Sequence, residues 1–206
     1  MNIPAFLAIC ALFVQAARPT KPVRDFHWNW RDAQALRVSD SLRNAQVSAT
    51  EKAAIATVLK VQIRPYLADL GDDSASRLED EAFSARINLI DLNQDGTPEV
   101  IAQAMVACGA SGNCPFWIFQ KNSGKYKLLL DDSAETFTIQ KSRTNGYADI
   151  VLALHDSAFE QTLDVYRYTN GAYAADAGCY VATVAVLDSN AIRRLTEPKL
   201  TACQEK

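Results

Sequence analysis

Five residues within "DLNQDGTPEV", residues 91–100, carry oxygen-bearing groups at alternate positions: Asp91, Asn93, Asp95, Thr97 and Glu99. Calcium takes about six to eight hard oxygens, and a tight loop directs alternate side chains to one point when a glycine makes the bend. Gly96 stands at that bend. Asp91, Asn93, Asp95 and Glu99 would supply side-chain oxygens and Thr97 its backbone carbonyl, which makes calcium, in a structural role, the expected cofactor. Carboxylates crowded in one loop repel each other, and a divalent cation relieves that repulsion. The competing expectation is a metal-free turn over Gln94-Asp95-Gly96-Thr97. There Asp and Asn bond their own backbone amides and Gly accepts a positive φ.

The loop is not an EF-hand, because its twelfth position is Ala102, where that motif needs a bidentate Glu, and the residues after it read as a strand. The pattern D-x-N-x-D-G-x-x-E resembles the D-x-D/N-x-D-G-x-x-D loop of FG-GAP and VCBS repeats, calcium-bearing hairpins of exported and cell-surface β proteins. The resemblance implies Asp91, Asn93, Asp95 and Glu99 as side-chain ligands and Thr97 as a carbonyl ligand. It departs in placing Glu99 where those repeats use Asp. It spans residues 85 to 105 well and 143 to 173 only in outline, since "RTNGYADI" keeps just Asn145, Gly146 and Asp149.

Catalytic chemistry has less support. The chain has 2 histidines, His27 and His155, and the latter sits in "LHDSAFE" beside Asp156, Ser157 and Glu160. Along a strand His155 and Ser157 would share a face and Asp156 would point away, so a triad would need a third group from elsewhere. A serine elbow, a paired-histidine zinc motif and a phosphate-cradling glycine loop are all absent from the sequence. The plainer reading is a polar strand end in which Asp156 or Ser157 bonds locally, and no catalytic residue is assigned. A hydrolase using His155 or an acidic pair is the alternative function.

Four cysteines follow the N-terminal region: Cys108, Cys114, Cys179 and Cys203. In an exported chain they suggest two disulfides, for which three pairings are formally open. The local choice joins Cys108 to Cys114 across the glycine-rich "CGASGNC" and leaves Cys179 to tie down Cys203. Loop-closure entropy alone makes the short ring worth about 2 kcal/mol and the longer one about 3.5 kcal/mol. An exposed loop at Gly109 to Asn113, held rigid by its bridge, would suit a further alternative, a periplasmic inhibitor of a secreted enzyme.

The elements that must position these residues read as α+β: an N-terminal helical pair packed on an antiparallel β-sheet or small sandwich built from two related hairpin units. Residues 1–17 have the apolar run and small residues of a signal peptide, with cleavage expected after Ala16 or Ala17. Ile9 before Cys10 is too bulky for a lipoprotein cleavage site. Residues 18–80 read as a linker and helical hairpin. Phe26, Trp28 and Trp30 would pack back on the body, Asp32 would cap a short helix through Arg43, and Ser48 with Glu51 would open a second. Ile55, Val58, Leu59 and Ile63 form its apolar stripe, Pro65 interrupts it, and Gly71 to Ser74 break the chain.

Residues 81–206 read as an antiparallel β domain with two weakly similar units, about 85–130 and 135–175. Gly96, Glu99, Val100 and Ile101 precede Gly146, Asp149, Ile150 and Val151 by about 50 residues, and each unit ends in an aromatic strand, a Gly turn and a Tyr. Phe116, Trp117, Phe119 and Tyr126, with Tyr166, Tyr168 and Tyr173, put large rings on both faces of their strands. One face must be core; the other either receives a protein or glycan partner or lies under the helices.

The full chain of 206 residues is 49% hydrophobic and 22% charged with a formal charge of -3, the profile of a globular protein. Its Lys and Arg are scattered, so no nucleic-acid partner is expected, nor a membrane span once the leader is removed. The leading expectation is a secreted or periplasmic, noncatalytic binding or envelope-associated protein.

Overall fold

A computed structural model describes residues 36, 38–175, 178–189 and 191–203. The expected leader, Cys10, the aromatic segment with His27, and Asp32 lie outside the described residues.

The helical pair is present, but only one of its members is an expected one. α1 spans Ala49–Asp69, opened by the Ser48 hydroxyl accepting the Glu51 N–H at 3.1 Å. It runs through Pro65 without a break. Proline removes one N–H from the ladder, but here both it and Val61, whose carbonyl loses that bond, lie on the exposed side where water substitutes. The C-terminus closes when Gly71, at φ +77°, sends its N–H to Ala68 and lets Asp72 bond the Leu67 carbonyl. α2, Ala75–Ser84, follows the polar break and takes its cap from Ser74; the interval of four between Leu78 and Ala82, its two buried residues, was its sequence signal.

The helix expected through Arg43 does not form over its described part. Leu36 instead exchanges backbone hydrogen bonds with Phe137, and β1, Asp40–Ser41, pairs with Ile87 and Arg86. Leu36, Val38 and Leu42 each face apolar neighbours in this extended path. Helix propensity differs little among such residues, so free sheet edges offering both bonds and burial decide the outcome.

The rest is two antiparallel sheets. The first runs in chain order from β1 through β2 (Arg86–Ile90), β3 (Glu99–Gln103), β4 (Cys114–Asn122) and β5 (Lys125–Ala134). The second holds β6 (Thr136–Thr144), β7 (Tyr147–His155), β8 (Glu160–Thr169), β10 (Cys179–Asp188) and β11 (Ala191–Ala202), ordered β11-β10-β8-β7-β6. The short β9, Ala172–Ala174, pairs with the far end of β8.

These sheets and helices make three layers. Ile55, Leu59, Ile63 and Leu67 cover Val100, Ala102, Trp117 and Phe119 on one face of the first sheet. Its opposite face puts Ile101, Phe116 and Ile118 against Phe137, Ile150, Leu152 and Tyr166 of the second. Burial on both faces explains why β3 is buried throughout rather than alternating. Phe116, Trp117 and Phe119 are therefore core: Trp117 and Phe119 lie beneath the helices, Phe116 between the sheets.

Candidate functional site

The loop from Asp91 to Pro98 joins β2 to β3 and turns through Gln94 at φ +63° and Gly96 at φ +85°. Its side chains fold onto its own backbone. Asp91 accepts the amides of Asp95 at 3.2 Å and Gly96 at 2.9 Å, and Asn93 Oδ1 also accepts the Asp95 N–H at 3.0 Å. Asp95 accepts the Thr97 N–H at 2.7 Å and the Asn93 side-chain amide at 2.8 Å. The Thr97 amide, with the Asn93 side chain, holds the Asp95 carboxyl below the usual range.

Glu99 departs from the arrangement expected of a fifth ligand. It is 1% exposed, and its Oε2 accepts the Leu92 N–H at 2.8 Å beneath the loop. Burial pushes its carboxyl up to about 7; the Leu92 amide opposes that shift, and the charges of Asp95 and Asp91 add to it. Asp91, Asn93, Asp95 and Thr97 thus share one bend, while Glu99 forms its floor. Among the described residues no three acidic, His or Cys side chains are gathered closely enough to hold an ion. The donor types nonetheless suit a hard cation. A carboxylate oxygen that accepts one amide keeps a second lone pair, so the loop's internal bonds do not exhaust its capacity.

The loop also docks on the second sheet, which sequence reasoning missed. Leu92, 1% exposed, lies in the inter-sheet core. Its carbonyl accepts the Ala148 N–H at 2.9 Å and Arg143 Nη1 at 2.8 Å, and the same Nη1 reaches the Gly146 carbonyl at 2.8 Å. The Asn93 side-chain amide donates to the Tyr147 hydroxyl at 3.1 Å, which also receives Gln120. Tyr147 stacks on Tyr168 with ring centres 3.8 Å apart, and Tyr173 meets both edge-on. Spacing within "DLNQDG" carries no signal for any of these partners.

At the corresponding place in the second unit, Asn145 and Gly146 form the β6–β7 turn at φ +49° and +87°. Asp149 is 3% exposed there and accepts the hydroxyls of Ser142 and Thr144, both at 2.7 Å, with Arg167 Nε 3.8 Å away. Two hydroxyls and a guanidinium satisfy this buried carboxylate, in contrast to Glu99.

Both expected disulfides are formed, Cys108–Cys114 and Cys179–Cys203. Asn113, inside the first ring, clamps the end of β7: its amide donates to the His155 carbonyl at 3.0 Å and its Oδ1 accepts the His155 N–H at 2.8 Å. Around His155 the polar residues bond locally. Asp156 accepts the Thr162 hydroxyl at 2.7 Å, and the Ser157 hydroxyl accepts the amides of Phe159 and Glu160, both at 3.1 Å. The carboxylate beside His155 is Glu135, with 3.8 Å between Oε2 and Nδ1.

Fold and loop define the molecule as a three-layer α+β protein with a polar loop wedged at the joint of two sheets. The chain matches no family model, no curated protein and no solved structure. The likeness to FG-GAP and VCBS loops therefore rests on the residues alone. No helix among the described residues is long and apolar enough to cross a membrane.

Proposed function

We propose that this chain is an exported, noncatalytic binding or envelope-associated module whose 91–99 loop is a structural calcium site. The observation that carries the reading is the position of that loop. Asp91, Asn93 and Asp95 are curled around a single bend whose base, Leu92, is bonded to the second sheet through Arg143 and Ala148. A cation there would take carboxylate oxygens of Asp91 and Asp95, the Asn93 amide oxygen and the Thr97 carbonyl, with Glu99 drawn toward it from below. It would stiffen the joint between the sheets. Two disulfides are in keeping with an oxidising compartment.

Calorimetry of the processed protein with and without calcium tests the loop. Binding to the folded state alone stabilises it by about 2.7 kcal/mol when free calcium is about 100 times the dissociation constant. Millimolar calcium should raise the melting temperature of the wild type and leave that of Asp95→Ala unchanged. A wild type that does not respond at millimolar calcium rejects the site.

A further inference from the structure

A cleft of about 320 Å³ opens where the β7–β8 turn meets the β10–β11 hairpin. That volume sits at the small end of the range for ligand pockets. Its polar lining is His155 at the end of β7, Ser157 in the turn, Gln161 on β8 and Arg194 on β11. Ala158, Val184 and Ile192 supply the apolar walls.

The polar groups are chiefly donors. Both lone pairs of the Ser157 hydroxyl are engaged by the amides of Phe159 and Glu160, so what it has left to offer is its proton. Glu135 lies behind the lining, receiving the Gln161 side-chain amide at 3.5 Å and standing 3.8 Å from His155 Nδ1, an arrangement that leaves Nε2 for the cleft. No Asp or Glu lines the cleft. Arg194 has no ion-pair partner among the described residues, and a guanidinium presents a planar fork that fits a carboxylate through two parallel hydrogen bonds.

Hydrogen bonds to the main chain tie the frame around these groups. The Phe159 carbonyl accepts the Val184 N–H at 2.7 Å, fixing the turn to β10 at the point where the β10–β11 register shifts between Thr183 and Ala185. Such bulges redirect side chains. Asn113 fixes the other wall by bonding both backbone groups of His155.

We propose that this cleft binds a small organic carboxylate with a short aliphatic chain. Arg194 takes the carboxylate, Ser157 adds a hydrogen bond, and Val184 with Ile192 covers the chain. The inference stands apart from the calcium loop, since none of the lining residues belongs to it.

Amide chemical-shift titrations with butyrate, butyramide and inorganic phosphate test it, run with chelator present and repeated on Asp95→Ala so that failure of the loop reading leaves the result intact. Butyrate should shift amides of 155–161 and 184–194 saturably in the millimolar range. Butyramide, lacking the charge, and phosphate, lacking the chain, should each bind at least about tenfold more weakly. Arg194→Gln, an exposed change that keeps the spectrum folded, should weaken butyrate by about tenfold or more. Equal binding of butyrate and butyramide, phosphate binding as tight as butyrate, an unaffected Arg194→Gln variant, or the absence of saturable shifts would each overturn the proposal.

Discussion

At the scale of single residues, Glu99 and Asp149 show how one polar position takes two characters. Each precedes the apolar run of an inner strand, each is almost wholly buried, and only Asp149 has hydroxyls and a guanidinium beside it. Glu99 is buried with only the backbone amides of Leu92 and its own residue to oppose burial and two nearby negative charges, so its ionised form is disfavoured and its carboxyl rises from 4.5 to about 7. In the unfolded chain the proton leaves near the lower value; between the two, the folded state binds the additional proton. Stability must therefore fall as pH rises through that window, by an amount on the order of 2 kcal/mol. Denaturant unfolding in chelator across pH 4.5 to 7 should show this slope in the wild type and a flatter one in Glu99→Gln, which keeps an acceptor for the Leu92 amide. Parallel slopes would remove Glu99 as their cause. Calcium, where it binds, favours the ionised form and should reduce the loss.

At the scale of elements, local signals placed α1, the break after it and most of the strands. Ser48, the buried stripe and Gly71 are all visible in the chain, and the alternation around Ile87 and the Asn-Gly turns mark hairpins. Two readings failed for physical reasons. The segment before Arg43 has acceptable helix propensity, but the edges of both sheets offer its backbone pairing and its leucines burial. Pro65 would be expected to end a helix, yet the carbonyl it orphans faces water while Ile63 and Leu67 stay packed on either side of it. Its cost is thus in the ladder and not in the core. Pro65→Ala should stabilise the protein by about 1–3 kcal/mol, less the entropy it returns to the unfolded chain, as read from the urea midpoint. A midpoint equal to or below the wild type would show that proline is favoured at this position.

At the scale of the whole molecule, the covalent and the noncovalent ties fall in different places. The Cys108–Cys114 bridge closes a ring of sequence separation 6 beside β4, whereas Cys179–Cys203, with separation 24, staples the start of β10 to the end of β11. Removing the second by Cys179→Ser with Cys203→Ser should cost about 3.5 kcal/mol, against about 2 kcal/mol for the first pair. Melting temperatures of the two double variants check the order, and a larger loss from the short ring would contradict it. The polar bend at 91–99 was legible by itself as oxygen-bearing side chains around a glycine, and the cysteine spacing pointed to the local bridge. Alternation and cap residues likewise determined an α+β chain of short antiparallel strands, because those properties depend on neighbours a few residues away. Only the tertiary structure decided that Glu99 turns under the loop, that Leu92 is seated on Arg143 and Ala148, and that His155, Ser157 and Arg194 line one cleft. Arg143 is 51 residues from Leu92, and Asn113 is 42 from His155. Contacts at such separations are selected by how whole layers bury their apolar faces, which no local pattern of residue types encodes.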